Sequence, residues 1–292
     1  MVQIAVIGDI HTRFTAVDVA HFNAGAADLI LVVGDLSNYR QREGYPAARC
    51  LARLRKPTLF IPGNHDAVLL LQLLAEARGI AWLADLLALG QARRAAALRR
   101  RLRPVTCCGY SGHPFTLNGQ TFDVIAARPY AFGGSALSCR RYLRRAFGVG
   151  SLAESADRLK ELVDTAVSDR LIFLAHNGPA GLGAQPHDIW GCDFRDGGGD
   201  YGDADLQTAV AHAQTRGKQV LAVVAGHMHH RVRGGGRRAW LVERDGVVYV
   251  NAARVPRIFK QGDRTVHHHV RLTLDAGGVT AVDAILHPAE AA

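Results

Sequence analysis

The sequence predicts an α/β fold built on a parallel sheet that is covered on both faces. Gln3–Gly8, Leu29–Gly34 and Thr58–Pro62 are short apolar runs, each ending at glycine or proline and separated by stretches of helical length, which reads as βαβαβ. Their apolar character is nearly continuous rather than alternating, as strands buried on both faces require. Right-handed crossovers then bring all three C-terminal ends to one edge.

From Ala67 to about Arg103 the pattern changes to Leu, Ala and Arg at helical spacing, interrupted by Gly79 and Gly90 and stopped by Pro104. Two or three helices are expected there. A strand over Thr121–Ala127 follows, then a basic helical stretch around Arg140–Arg145. An amphipathic helix runs from Ser151 to about Val167, and its Ser151-x-x-Glu154 start suits a capping box. The βα pattern resumes with strands Arg170–Ala175 and Gln219–Ala225 around a helix of about Asp203–Arg216. Beyond Gly234-Gly-Gly, strands are expected at Ala239–Glu243, Val247–Asn251, Thr265–Leu274 and Val279–Leu286. Arg244-Asp-Gly246 supplies a tight turn between the first two. The last few residues read as frayed. The whole, residues 1–292, is expected to be a single domain in which about 67–167 is a mainly helical insertion.

With 292 residues, 48% hydrophobic and 21% charged, the chain has ordinary globular composition, and disorder is not the default. Its net charge of +9 and pI near 9.7 favour anionic partners such as phosphates, nucleic acid or acidic headgroups. The start lacks the basic region of a secretory signal and reaches Asp9 after one short apolar run. No apolar run approaches the roughly 18 residues of a membrane span. Five cysteines (Cys50, Cys107, Cys108, Cys139, Cys192) show no Cys-x-x-Cys spacing, so a reducing, cytoplasmic setting and no zinc–thiolate site are expected.

Five polar clusters fall where expected strands end: Gly8-Asp9-Ile-His11, Gly34-Asp35, Gly63-Asn64-His65-Asp66, Ala175-His176-Asn177 and Gly226-His227-Met-His229. In parallel-sheet proteins ligands bind beyond the carboxyl ends of strands, and glycine there lets the backbone turn beneath them. The donors comprise two carboxylates, one amide oxygen and four imidazoles, with His65 left over. That set suits manganese, iron or zinc, and it is too large for one metal. Two cations about 3.5–4 Å apart, bridged by a carboxylate, would activate water and clamp an in-line displacement.

These clusters resemble, in order and complete, the motif series of the calcineurin-like metallophosphoesterase family: Asp-x-His, Gly-Asp, Gly-Asn-His-Asp/Glu, His, Gly-His-x-His. The resemblance implies two packed mixed β-sheets flanked by helices, a four-layer αββα sandwich. It implies that Asp9, His11, Asp35 and His229 hold one divalent metal ion and that Asp35, Asn64, His176 and His227 hold a second. It further implies that a metal-bridging hydroxide attacks phosphorus, with His65 as proton donor or charge stabiliser and Asp66 orienting its ring. Asp66 could also cap the following helix. Leu-Ser-Asn-Tyr-Arg follows Asp35, unlike the Asp-Arg-Gly of Ser/Thr protein phosphatases. His11 is present and Asn38 stands where purple acid phosphatases carry tyrosine, so no iron–tyrosinate colour is expected.

A small phosphorylated substrate, mono- or diester and nucleotide-like in some branches, is the expected partner. A nuclease is the alternative enzyme, because seven arginines face two carboxylates between Ala67 and Arg103 and Arg140, Arg141, Arg144 and Arg145 add four more. A catalytically idle protein-binding scaffold would have lost ligands, and none is lost. Asn177-Gly-Pro reads as a turn or a substrate contact. His187 to Asp200 reads as a lid or as a solvated loop. His230 and His267-His268-His269 have no ligand spacing with the clusters and are expected on the surface.

Overall fold

The computed structural model describes residues 1–289. The first half of the chain forms β1 (Val2–Ile7), α1 (Ala16–Ala24), β2 (Leu29–Val32), α2 (Tyr45–Leu51), β3 (Thr58–Phe60), α3 (Leu70–Ala77), α4 (Ala81–Leu87), α5 (Gln91–Leu102), β4 (Thr106–Cys107), β5 (Ser111–Leu117) and β6 (Gln120–Ala126). The second half adds α6 (Arg140–Phe147), α7 (Leu152–Asp164), β7 (Arg170–Leu174), α8 (Ala204–Thr215), β8 (Gln219–Ala225), β9 (Leu241–Arg244), β10 (Val247–Asn251), β11 (Ile258–Gln261), β12 (Arg264–Leu274) and β13 (Val279–Pro288). Of the last few residues, expected to be frayed, 290–292 lie outside the described residues.

Two mixed sheets result. One runs β11-β12-β1-β2-β3-β4, with β13 also paired to β12, and the other runs β5-β6-β7-β8-β10-β9. The central strands β1 to β4, and β6, β7, β8 and β10, are parallel, while the flanking pairs are antiparallel. Alternate residues of the central strands face inward and make the core between the sheets: Ile4, Val6, Leu29 and Leu31 against Val124, Ile172, Leu174 and Val224. The opposite faces pack on helices, through Phe22, Ile30, Leu51 and Leu98 on one side and Phe173, Leu159, Val210 and Val223 on the other. This is the expected four-layer sandwich.

Within residues 67–167, three helices precede and two follow a run of strands that belong to both sheets, since β4 extends the first sheet and β5 and β6 the second. β5 is not legible in the sequence because Ser111-Gly-His-Pro looks like a turn. As an edge strand, however, it needs only one paired side. Ser151 caps α7 through the backbone N–H of Glu154 (3.1 Å), but the Glu154 carboxylate reaches Gly150 N (2.6 Å) rather than closing the box on Ser151. In the β9–β10 turn, Asp245 and Gly246 both have positive φ (51° and 73°), as a two-residue hairpin turn demands.

β12 overturns one expectation. Its histidines are not on the surface: His267, His268 and His269 are 2–5% exposed. β12 pairs with β13 along its length and with β11 and β1 on the other side, and both its faces are covered. Alternation therefore sends all three imidazoles into packed surroundings. Among the described residues no helix is long and apolar enough to cross a membrane, and all five cysteines are free thiols.

Candidate metal centre

The five polar clusters leave the ends of β1, β2, β3, β7 and β8, and the parallel registers bring them to one edge. Two sets of donors form there. Nε2 of His229 lies 3.4 Å from Asp9 Oδ2, and Nε2 of His11 lies 3.2 Å from Nε2 of His229 and 3.8 Å from Asp35 Oδ2. Across Asp35, its other oxygen Oδ1 is 3.6 Å from His176 Nε2. The Asn64 amide oxygen is 2.8 Å from that nitrogen and 2.9 Å from His227 Nδ1. Asp35 thus turns one oxygen toward each set.

Ring orientations follow from bonds made on the far side. His176 Nδ1 donates to the Val33 carbonyl (2.6 Å) and His11 Nδ1 to the Ser37 carbonyl (3.1 Å), which leaves Nε2 of each facing the centre. A neutral His176 then presents a lone pair to the Asn64 oxygen, acceptor against acceptor. That arrangement calls for positive charge between them, as a proton or a cation, and the mixed oxygen and nitrogen donors fit a divalent metal.

The titration behaviour agrees. Burial opposes the charged form of Asp9, but the His229 hydrogen bond and the charges of His176, His229 and His11 hold its carboxyl well below the usual range. His227 is pushed down to about 3 by burial and by the neighbouring His176 charge, and burial lowers His11 too, so both are neutral imidazoles at pH 7. His176 and His229 are raised despite burial, His176 by the charges of Asp35 and Asp9 and His229 by its bond to Asp9 and that carboxylate's charge.

The backbone is bent to make this possible. His11, Asp35 and His227 have φ of 41°, 53° and 67°, a left-handed conformation uncommon outside glycine and concentrated at functional sites. Glycine is required beneath the donors. A Cβ on Gly63 would overlap the Asp35 carboxylate and the His176 ring, and one on Gly226 would overlap the Asp9 carboxylate.

Asp66 does neither of the jobs expected of it. α3 begins only at Leu70, with Leu69 at its N-cap. The Asp66 carboxylate accepts from the backbone N–H groups of Asp35 (2.8 Å), Leu36 (2.9 Å) and Gly63 (2.9 Å), clasping the loops after β2 and β3. His65 is placed by its backbone instead. Its N–H donates to Asp35 Oδ1 (2.9 Å) and its carbonyl accepts from Ser37 Oγ (2.7 Å), while its ring sits edge-on to His11 and Tyr39.

The segment from His187 divides in two. Ile189, Trp190 and Cys192 are fully buried, while Phe194 to Gly197 are exposed or half-exposed. Trp190 Nε1 donates to the Gly226 carbonyl (3.3 Å), and Asn251 Nδ2 donates to the carbonyls of Ile189 (3.1 Å) and Met228 (2.7 Å). Arg238 donates to the carbonyls of Pro186 (2.7 Å), Asp188 (3.0 Å), Gly191 and His229 (3.1 Å), and it pairs with Asp193 (3.3 Å). The buried part is a brace for the His227–His229 loop. Arg238 and Asn251 were invisible in sequence because each acts through carbonyls, which carry no residue identity. Asn177 is fully buried, its amide nitrogen donating to the Tyr201 carbonyl (2.9 Å), so it supports the turn. Tyr201 and Phe132 place their rings 6.4 and 5.8 Å from that of His227.

Comparison with known proteins gives a family match. Residues 2–231 match the model of the calcineurin-like phosphoesterase family. No curated protein matches the chain. Among solved structures, the chain is similar to the protein TT1561 of Thermus thermophilus, with 16% identity, TM-score 0.51 and 99% of each chain covered. It is also similar to the Thermus thermophilus sulfate thiohydrolase SoxB in complex with glycerol, with 14% identity and TM-score 0.50, over 97% of this chain and 43% of that one. At such identities these likenesses speak for the fold alone.

Proposed function

The chain belongs to the calcineurin-like phosphoesterase family, and on that premise we propose that it hydrolyses a phosphate mono- or diester with two divalent cations bound at the strand edge. Membership implies metal-dependent phosphoester hydrolysis; the pair of ions, their ligands and the substrate are our reading. Asp9, His11, Asp35 and His229 would hold one ion, and Asp35, Asn64, His176 and His227 the other. The observation that supports this most directly is the division of Asp35, one oxygen 3.8 Å from His11 Nε2 and the other 3.6 Å from His176 Nε2. Manganese, iron or zinc fits the donors.

Bound divalent cations would supply Lewis acidity, bringing the pKa of a coordinated water toward about 7 and neutralising phosphate charge. The protein's own groups do the rest. His65 gives a proton to the departing oxygen, and its backbone bonds to Asp35 and Ser37 hold it beside the donors. Asp66 keeps the two ligand loops at fixed separation. Val33 and Ser37 carbonyls fix the tautomers of His176 and His11 so that lone pairs face the site. The chain works as one domain, residues 67–167 border the substrate, and the free thiols suit a reducing cytoplasm.

The test is hydrolysis of para-nitrophenyl phosphate and its bis-ester by metal-stripped protein, with and without manganese, beside Asp35→Ala. Metal-dependent turnover that the variant lacks supports the reading, and the ratio of the two esters assigns the branch. Absence of turnover with every metal would leave a scaffold. A nuclease is the second reading, favoured by the four exposed arginines of α6, Arg140, Arg141, Arg144 and Arg145. It requires nucleic-acid binding that weakens steeply with salt. Salt-insensitive turnover of small esters would count against it.

A further inference from the structure

A separate group of imidazoles lies where α1 packs on the β12–β13 hairpin. His21 is in the last turn of α1, and His269 and His287 are on neighbouring strands. Their ring centroids are 3.7 Å (His21–His287), 5.3 Å (His21–His269) and 5.6 Å (His269–His287) apart, and one nitrogen from each lies within 4.8 Å of the others. His269 and His287 are buried. Nδ1 of His269 and both ring nitrogens of His287 have no hydrogen-bond partner, a rare condition for buried polar atoms that asks for an explanation.

We propose that His21, His269 and His287 form a metal site distinct from the strand-edge centre, taking an imidazole-preferring divalent cation of the zinc class and tying α1 to the C-terminal hairpin. Three imidazoles without a thiolate suit zinc, nickel, cobalt or copper(II), and disfavour the oxygen-seeking magnesium and calcium. Two of the rings are available as neutral ligands at neutral pH. Burial and the neighbouring His287 push His21 down to about 4, and burial with the charges of His21 and His287 takes His269 to about 2, so neither carries a competing proton.

The surroundings are arranged for it. Asp18 Oδ1 lies 3.6 Å from His287 Nε2, beyond hydrogen-bond length, so it faces that ring without satisfying it. The same oxygen binds Arg257 (2.8 Å) and His267 (2.9 Å), so the nearby Asp18–Arg257 pair has no net charge. Asp18 is thereby committed, and it serves behind the site rather than in it. A cleft of about 140 Å³, lined by Ile4, Phe22, Arg271, His21 and His269, gives a hydrated ion a way in. His21 and His287 are stacked 3° from parallel. Coordination therefore requires the His21 ring to turn about its Cβ–Cγ bond, which its half-buried position permits.

The test is equilibrium dialysis of full-length protein against zinc at pH 7.5, with metal counted per chain, for wild type, His21→Gln and His287→Gln. The expected result is one equivalent fewer in each variant, with turnover of para-nitrophenyl phosphate unchanged in His21→Gln. Cobalt(II) substituted into the wild type should add an absorption band that His21→Gln lacks. Equal metal content in wild type and His21→Gln, which replaces a half-buried helical residue and so should fold, would overturn the proposal. Loss of turnover in His21→Gln together with loss of two or more equivalents would overturn it too, by assigning the effect to the strand-edge centre.

Discussion

The strand-edge centre and the hairpin cluster both gather imidazoles, but on opposite kinds of scaffold. At the edge, seven donors stand on loops. Three of them sit in left-handed backbone, glycines lie beneath the carboxylates, and second bonds to Val33 and Ser37 carbonyls fix two of the rings. At the hairpin, three imidazoles project from a regular helix and regular strands, none with positive φ. Loop-built donors are set by backbone strain and hydrogen bonding, so their geometry is in place before anything binds. Strand-built donors are set by register and packing, which leaves one ring free to turn.

The largest effect should come from Asp35→Ala, which removes an oxygen from both edge sets. Metal analysis and turnover should fall together to background, while the hairpin cluster keeps its behaviour. Full activity would refute the bridging role. His65→Ala should lower kcat by roughly 10²–10⁴-fold with both metals retained, as loss of a proton donor does; loss of metal in that variant would make His65 a ligand instead. Arg238→Met should weaken manganese binding by roughly 10–100-fold without abolishing it, because it loosens only the brace behind His229. Unchanged affinity would mean that the loop holds without it.

Acid separates the two regions by different routes. At the edge, His176 is raised by the charges of Asp35 and Asp9, and His229 by its bond to Asp9, despite burial; both must lose their protons to bind metal, so manganese affinity should fall as pH is lowered. At the hairpin, His269 is depressed to about 2, so the unfolded chain takes up a proton near pH 6.5 that the folded one refuses. Stability is then full above that pH and declines as pH falls toward the folded value. In metal-free protein, His269→Gln should make this decline shallower by about 1.4 kcal/mol per pH unit between about pH 6 and 4. Parallel denaturation curves for variant and wild type would sink that expectation.

This contrast also explains what could be read from the chain. Edge donors come in contiguous clusters, because one tight turn at a strand end supplies two or three of them, as in Gly63-Asn64-His65 or Gly226-His227-Met-His229. Their order along the sequence survives as a pattern. The hairpin trio comes from positions 21, 269 and 287, which only the pairing of β12 with β13 and the packing of α1 bring together. A run of three histidines read as a polar surface because nothing local says that both faces of β12 are covered. Asp66 follows a related rule: its position beside His65 suggests a side-chain partner, but its three partners are backbone amides, two of them about thirty residues away.

The Arg238 clasp has a consequence for timing. One guanidinium holds the carbonyls of Pro186, Asp188 and Gly191 and also that of His229. Lifting residues 186–191 as a flap would therefore drag a metal-ligand candidate with it, and this stretch is unsuited to open once per catalytic cycle. Its amides and those of the His227–His229 turn should exchange with solvent as one slow cooperative unit. Any motion that keeps pace with product departure belongs instead to the exposed stretch around Phe194 to Gly197.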